Sequence, residues 1–514
     1  MTPAPIHTAL ADVAEIRRLE AAFSLRHPKI SLMQRAGEAV AAHVLAYLKK
    51  SKSKNVLVLA GPGNNGGDAW VAAAALQRAK CQVTVLALGE QNQTGAAAQK
   101  ARAAFLAADG EVVKSWPKKN ALDVVIDGLF GIGISRAPSG AVADVINQCN
   151  QLHRAQQFAV LSIDVPSGLN ADTGVAFDPA IEADETLTFI AAKPGLYTAD
   201  GVDCAGAVIV DALGVTIPES QTTLLTRDDV LPLIPVRRAN SHKGRYGNVG
   251  IVGGAEGMVG AAVLAARAAL HMGPGKVYLG IFDKDRPALD ILHPEIMVRD
   301  ARVLAKDDNM TAFAIGMGTG EVGASSFLGL LSLNRPLVID ADALNAISIN
   351  PSINAALEAK KAENALPCLP FIFTPHPGEA ATLLGIQSAD VQNDRLSAAR
   401  KLAARFKGVV VLKGAGSIIA HPDGRAVINP TGNPGMASGG MGDALSGMLA
   451  ALLAMGLDAW DAARLGVYLH GAAGDAALHH GMGPHGLTAS EVIFEARGLL
   501  NSGLEDGHGD EDKD

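Results

Sequence analysis

The chain has 514 residues, room for two to four domains of about 100–200 residues each. Hydrophobic residues make up 48%, enough for large buried cores, while 19% charged residues and 56 glycines suit α/β domains with many tight strand-to-helix turns. The formal charge is −8 and no Lys/Arg cluster is long, which excludes a nucleic-acid footprint.

The chain opens on MTPAPIHTAL, which lacks a basic segment followed by an apolar one, so no signal peptide is evident. Helices are predicted at 12–25 and 31–49. The basic run KKSKSK (49–54) reads as a solvated helix end. Strands follow at 56–60, 83–88, 124–126, 159–163, 186–190 and 208–210, with helices at 68–79, 95–107 and 140–150. This alternation predicts a parallel sheet with helices on both faces. Prolines 218, 232 and 235 and the polar run RRANSHKGRYG (237–247) mark a boundary near 215–230. A second, larger α/β unit then begins. Its strands are predicted at 249–252, 277–281, 311–315, 337–339, 371–373 and 409–412. Its helices are predicted at 258–272, 394–406, 441–455, 460–479 and 488–500. The last ten residues, EDGHGDEDKD, form an acidic tail that cannot bury apolar surface and is expected to be disordered. Cys81, Cys149, Cys204 and Cys368 are far apart, so neither a disulfide framework nor a zinc site is expected. With no apolar run long enough to span a bilayer, a soluble cytoplasmic protein is expected.

In the first half, three polar signatures each follow a predicted strand: GPGNNGGD (61–68), DGLFGIG (127–133) and DVPSG (164–168). Open parallel sheets bind ligands at the carboxyl ends of their strands, so the three should meet in one crevice. Gly66 and Gly67 open a helix whose free N–H groups can hold a phosphate. Gly131 and Gly133 allow close backbone approach. Asn65, Asp127, Asp164 and Ser167 offer oxygen to a hard cation. The stretch is longer than GxGxxG and carries asparagines, which disfavours an ordinary dehydrogenase.

These motifs, with Leu32-Met33 and Arg35-Ala36-Gly37, resemble the N-terminal domain of the NAD(P)HX epimerase family over about residues 10–215. The resemblance implies a Rossmann-like three-layer domain, assigned to 1–220. It implies that Asn64, Asn65, Gly66, Gly67 and Asp68 contact the hydrated dinucleotide. Gly131, Ile132, Gly133, Ile134, Ser135, Arg136, Ala137 and Asp164 would contact it too. It further implies a potassium ion on Asn65, Asp127 and Ser167. Asp164 is the candidate acid/base, a strand-end carboxylate beside the substrate. Lys193, in AKPG, is a weaker candidate and reads more readily as a solvated lysine. The family continues NNGGDG where this chain has Ala69, which puts close backbone approach there in doubt.

In the second half, Gly439-Gly440-Met441-Gly442 leads into Asp443 and an apolar helix. Free N–H groups at such a helix start make an anion hole, and a carboxylate there suits a base aimed at a hydroxyl that attacks phosphorus. This resembles the ribokinase-like superfamily. VGIVGG (249–254), AIGMGTG (314–320), DADALN (340–345), TPHPGE (374–379) and VVVLKGAG (409–416) narrow it to the ADP-dependent NAD(P)HX dehydratases, over about 226–500. The resemblance implies a ribokinase-like α/β domain, assigned to 226–503, followed by the tail at 504–514. Ala261, Gly318, His376 and Asp443 would contact the hydrated nucleotide. Lys413, Gly414, Ala415, Gly416, Ser417 and Gly442 would bind ADP, with Mg2+ arriving on the nucleotide. His376 also reads as a satisfied loop histidine, and Asp340 and Asp342 as helix caps. The implied activity is nicotinamide nucleotide repair: epimerisation of R- and S-NAD(P)HX, then dehydration of the S form with ADP to NAD(P)H, AMP and phosphate. The partners are small molecules, with no nucleic acid and no membrane; a homo-oligomer is compatible with this. The alternative is a small-molecule kinase of the ribokinase superfamily behind a non-catalytic N-terminal binding module.

Overall fold

The protein is described by a computed structural model over residues 9–50, 53–89, 96–117, 121–155, 157–363 and 367–503. The acidic tail and part of the 49–54 basic run lie outside the described residues. Contacts divide the chain into two compact units, Met1–Thr222 and Thr223–Asp514.

Unit 1 begins with helices α1 (Val13–Arg26) and α2 (Leu32–Tyr47). Asp12 caps α1 by accepting from Glu15 N at 2.8 Å, and Ser31 caps α2 through Gln34 N. Then come β1 (Asn55–Ala60), α3 (Asn64–Arg78), β2 (Gln82–Ala87), α4 (Ala96–Ala107), β3 (Glu111–Val113) and β4 (Val124–Gly128). The unit continues with α5 (Ala141–Arg154), β5 (Ala159–Ile163), β6 (Glu185–Phe189), α6 (Gly201–Cys204) and β7 (Ala207–Asp211). The sheet order is β3-β2-β1-β4-β5-β6-β7, all parallel.

Alternate strand residues enter opposite layers, as the two-residue period of a strand requires. Val56, Val58, Val85 and Ile126 pack with Ile16, Val40 and Trp70, whereas Leu57, Leu59, Leu86 and Val125 pack with Val145, Ile146 and Cys149. The result is a three-layer, Rossmann-like unit. Its strand order reverses between β1 and β4, where a crevice opens at the strand carboxyl ends. Helix α3 starts at Asn64, earlier than the predicted 68, so the asparagines sit in its first turn. The short edge strand β3 was not predicted.

Unit 2 carries a ten-stranded sheet: β8 (Thr222–Leu224), β9 (Asn248–Gly253), β10 (Lys276–Ile281), β11 (Met297–Asp300), β12 (Ala312–Ile315), β13 (Leu337–Ile339), β14 (Phe371–Phe373), β15 (Val409–Leu412), β16 (Ile418–Ala420) and β17 (Ala426–Ile428). The order is β11-β10-β9-β12-β13-β14-β15-β16-β17-β8. Its parallel part repeats the pattern of unit 1, with the reversal between β9 and β12. β15, β16 and β17 run antiparallel.

The helices that precede the glycine-rich segment are α7 (Arg227–Val230), α8 (Val259–Met272), α9 (Ala301–Leu304), α10 (Ala324–Ser332), α11 (Ala341–Ile349), α12 (Pro351–Glu363), α13 (Pro377–Leu384), α14 (Ser388–Asn393) and α15 (Arg395–Phe406). After it come α16 (Met441–Ala454), α17 (Ala459–His479) and α18 (Ala489–Ser502). α16 is nearly all apolar because it is buried all round, against α8 and the sheet. Among the described residues no helix is long and apolar enough to cross a membrane.

Candidate active sites

In unit 1 the register aligns Ala60 with Gly128 and Asp127 with Ser162, so all three strand-end motifs reach one edge. They border a cavity of about 820 Å3. Glycine is required here by close approach: a Cβ on Gly61 would stand 1.8 Å from the Leu129 carbonyl oxygen, and one on Gly66 would stand 1.9 Å from that of Gly61. Ala69 is fully buried and is accommodated because its neighbour Gly128 lacks a side chain.

Asn64, Asn65, Asp68, Asp164 and the whole 131–137 loop line the cavity. Gly66 and Gly67 do not line it; they are buried where α3 meets Gly61 and Met33. Helix α1, outside the motifs, contributes Ile16, Arg17, Glu20 and Ser24.

Behind the cavity wall Asp127 is fully buried. Its carboxylate accepts from Ser167 Oγ (2.6 Å), Ser167 N (2.8 Å) and Ser162 Oγ (3.0 Å). Asn65 Nδ2 donates to the Phe130 carbonyl at 2.8 Å, and Phe130 N donates to Ser167 Oγ at 2.8 Å. Burial pushes the Asp127 carboxyl up, although its hydrogen bonds pull the other way. Among the described residues only neutral donors meet its carboxyl. Asn65, Asp127 and Ser167 thus bring oxygen atoms, the donor type a hard cation takes, into one connected group.

Asp164 sits just past β5 with φ +66°, a backbone region that side chains seldom adopt, and Ile190, past β6, has φ +68°. Both line the cavity, a placement typical of strain held at working sites. Lys193 is fully buried, not solvated as its sequence context suggested. Its Nζ donates to Asp164 Oδ1 (2.5 Å), Thr188 Oγ1 (2.8 Å) and the Phe189 carbonyl (2.9 Å). Lys193 does not itself line the cavity, so it acts on the site through Asp164.

In unit 2 the site residues again gather at strand carboxyl ends. Asp340 follows β13 and stands at the N-cap position of α11, but its side chain caps nothing. It accepts instead from Lys413 Nζ (2.7 Å), which follows β15, and from Ser446 Oγ (2.7 Å) on α16. Asp342 accepts from Gly320 N at 2.8 Å and so fixes the loop after β12. The cap reading therefore fails for both aspartates: their carboxylates tie separate elements together.

The side chain of Lys413 faces the glycine-rich loop. A Cβ on Gly442 would lie 3.4 Å from its Nζ, and Glu379 Oε2 is 3.9 Å away. Burial lowers the Lys413 pKa, but Asp340 and Glu379 outweigh it and hold the ammonium above its ordinary value. Gly440 has φ +91° at the start of α16, a turn that glycine permits. Asp443, in the first turn, is half-buried and accepts no hydrogen bond from the described residues. Burial, then the charge of Asp340, raises its carboxyl to about 6, against the pull of Lys413.

His376 caps α13: Nδ1 accepts from Gly378 N (2.9 Å) and Glu379 N (3.3 Å), while Glu379 accepts from His376 N (2.7 Å). An accepting Nδ1 puts the proton of the neutral ring on Nε2, and the side chain is exposed. His376 is thus a satisfied cap, with its Nε2 3.4 Å from Glu379 Oε1. Gly318 and Ala261 are neighbours, since a Cβ on Gly318 would lie 3.5 Å from that of Ala261. Gly414 (φ +133°) and Gly416 (φ +62°) shape the loop after Lys413, and Ser417 Oγ closes it on the Gly414 carbonyl at 3.0 Å. Arg395, buried beneath, donates to the Leu412 and Lys413 carbonyls. Sequence reading missed Arg395, Glu379 as a partner of Lys413, and Ser446. Arg395 and Ser446 lie within predicted helices and carry no motif of their own, whereas Glu379 ends TPHPGE, the motif in which His376 was singled out.

Comparison with known proteins matches residues 29–195 to the family described as YjeF-related protein N-terminus. Residues 249–494 match the family described as NAD(P)H-hydrate dehydratase. The chain is 36% identical to the bifunctional NAD(P)H-hydrate repair enzyme Nnr of Escherichia coli (strain K12), covering 97% of this chain and 95% of that protein. It is 38% identical to the enzyme of the same name from Coxiella burnetii, covering 96% and 100%. A solved structure from Bacillus subtilis, an ADP/ATP-dependent NAD(P)H-hydrate dehydratase co-crystallised with ATP and Mg2+, is 33% identical. It covers 55% of this chain and 98% of that one, with a TM-score of 0.47.

Proposed function

The chain belongs to the bifunctional NAD(P)H-hydrate repair enzymes, and on that premise we propose how its two units divide the chemistry. Hydration of NADH or NADPH puts a hydroxyl on the nicotinamide ring and makes two epimers. Unit 1 interconverts them. Asn64, Asp68 and the 131–137 loop hold the dinucleotide, Asp164 moves the proton, and Lys193 fixes the charge and angle of Asp164 from behind. A potassium ion would be held by Asn65, Asp127 and Ser167, supplying a fixed positive charge beside the anionic substrate.

Unit 2 dehydrates the S epimer with ADP. Ala261, Gly318 and His376 hold the hydrated nucleotide. Lys413, Gly414, Ala415, Gly416, Ser417 and Gly442 hold ADP, and Mg2+ enters with it. Asp443 takes the proton of the ring hydroxyl, whose oxygen then bonds to the β-phosphorus of ADP as AMP leaves. The amides of residues 439–442 steady the charge on the moving phosphoryl group. The phosphate ester next breaks at its carbon, expelling phosphate, while loss of the neighbouring ring proton restores the double bond. The site of action is the cytoplasm, a setting suited to four unpaired cysteines.

One observation carries this reading: Asp443 is a carboxylate with no hydrogen-bond partner among the described residues, raised to about 6, beside Lys413 at a glycine-lined helix start. A base is most effective when its pKa lies near the working pH. The test mixes purified protein with NADHX and ADP, or ATP, and follows NADH absorbance. Consumption of both epimers with release of AMP and phosphate is expected. A stable phosphorylated organic product would instead mark a small-molecule kinase.

A further inference from the structure

Helix α1 lies before the residues matched by the N-terminal family model, yet it forms one wall of the unit 1 cavity. Its place is fixed at the start by Asp12, and by Val13 N donating to Asp172 Oδ1 at 2.7 Å. It thereby brings Glu20 into a cavity that already holds Asp68 and Asp164. Three carboxyl groups share this space. Beside this space the buried cation Lys193 is committed to Asp164, Thr188 and the Phe189 carbonyl. Arg17, near Glu20, and Arg136 also line the cavity, and both are exposed. Neither Asp68 nor Glu20 accepts a hydrogen bond from the described residues. Like charges sharing one cavity disfavour each other's ionisation, which favours a proton held within the cluster.

The epimerisation proposed above needs such a proton. Inversion at the hydroxyl-bearing ring carbon can proceed by breaking its C–O bond and re-forming it on the opposite face. The leaving oxygen must take up a proton and depart as water, with the ring nitrogen lone pair forming a C=N bond. A water on the other face must then add to that carbon and give a proton up. No oxidant or co-reactant enters, and the proton count balances when one carboxylic acid and one carboxylate serve the two faces.

Resting on the epimerase reading of unit 1, we propose that Asp68 is the second proton carrier of this site: it protonates the leaving hydroxyl while Asp164 receives the proton of the incoming water, the two exchanging roles for the other epimer. Glu20 is a positioning residue, whose charge keeps the proton on Asp68. Burial, then the charges of Asp164 and Glu20, hold the Asp68 carboxyl well above the ordinary carboxylate range. Glu20 is itself raised by burial and by Asp164, against Lys193 and Arg17. A carboxylic acid and a carboxylate working as a pair are a recurrent solution to acid/base work near neutral pH.

The experiment uses the full chain with ADP and a mixture of both epimers. NADH should form in a fast phase, from the epimer unit 2 accepts, and a slow phase limited by epimerisation. Asp68→Asn should slow the second phase by about 10²–10⁴-fold and leave the first phase unchanged, which also reports that the protein is folded. Glu20→Gln should move the alkaline limb of the slow phase to lower pH, because Asp68 then ionises earlier; a merely structural role would leave that limb in place. A wild-type slow phase in Asp68→Asn, or an unmoved limb in Glu20→Gln, overturns the proposal. A wild-type protein whose slow phase does not exceed the uncatalysed background overturns the epimerase reading itself.

Discussion

Each unit holds a buried aspartate–lysine pair at its strand ends, and the two pairs are used differently. In unit 1 the paired aspartate, Asp164, is 14% exposed at its side chain and faces the cavity. Its lysine acts on the site only through it. In unit 2 the paired aspartate, Asp340, is 2% exposed at its side chain and joins β13, β15 and α16 from within. There another carboxyl, Asp443, lies near the lysine and accepts no hydrogen bond from the described residues. The same pair is a working group with a held charge in one unit and scaffolding for a free base in the other. Recognising a buried ion pair therefore does not reveal the chemistry; what decides is which carboxyl meets the space where a substrate fits.

The sharpest way to break this comparison is to remove the free base. Asp443→Asn should cut dehydration by about 10²–10⁴-fold in stopped assays of NADH formation, with epimer exchange by NMR unaffected. Normal dehydration by this variant would make Asp443 a bystander. Next come the pairs themselves. Lys193→Met strands the Asp164 charge and should cost unit 1 about 3–5 kcal/mol in denaturant unfolding, with Asp164→Asn in the same chain restoring much of that loss. An unchanged midpoint in the single variant would show that the pair contributes nothing to the fold.

pH sharpens the contrast further. Dehydration should fall as pH drops through about 6, where Asp443 takes up its proton. Since Asp340 raises Asp443, Asp340→Asn should carry that limb to lower pH; a limb that moves up would contradict the electrostatic assignment. The smallest effect concerns stability. Asp443 titrates higher folded than unfolded, so its ionised form opposes folding above the ordinary carboxylate range. Asp443→Asn should therefore raise the melting temperature at neutral pH. The gain should fade as pH falls from about 6 toward about 4, and a variant less stable at neutral pH would refute this.

Much of this was legible because strand ends carry signatures. Three polar motifs after apolar runs announced the unit 1 crevice, and GGMGD announced the helix start in unit 2. Lys193 was not legible: a lysine before Pro-Gly looks like a loop residue, and only the fold turns it beneath Asp164. Glu20 was equally silent, since α1 bears no motif and its place depends on packing remote in sequence. Helix α3 began earlier than predicted because Gly66 and Gly67 carry low helix propensity, which close packing on Gly61 and Met33 overrides. The β16–β17 hairpin could have been found: His421-Pro422-Asp423-Gly424 is a turn signal, and Gly424 has φ +97°.

The division of labour is tested most directly by giving Asp164→Asn a mixture of the two epimers with excess ADP and reading the yield of NADH. The account expects rapid conversion of the S epimer alone, with the R epimer persisting to the limit of uncatalysed exchange. Complete conversion at the wild-type rate would mean that unit 1 does not depend on this aspartate, and the assignment of proton transfer in unit 1 to Asp164 would be wrong.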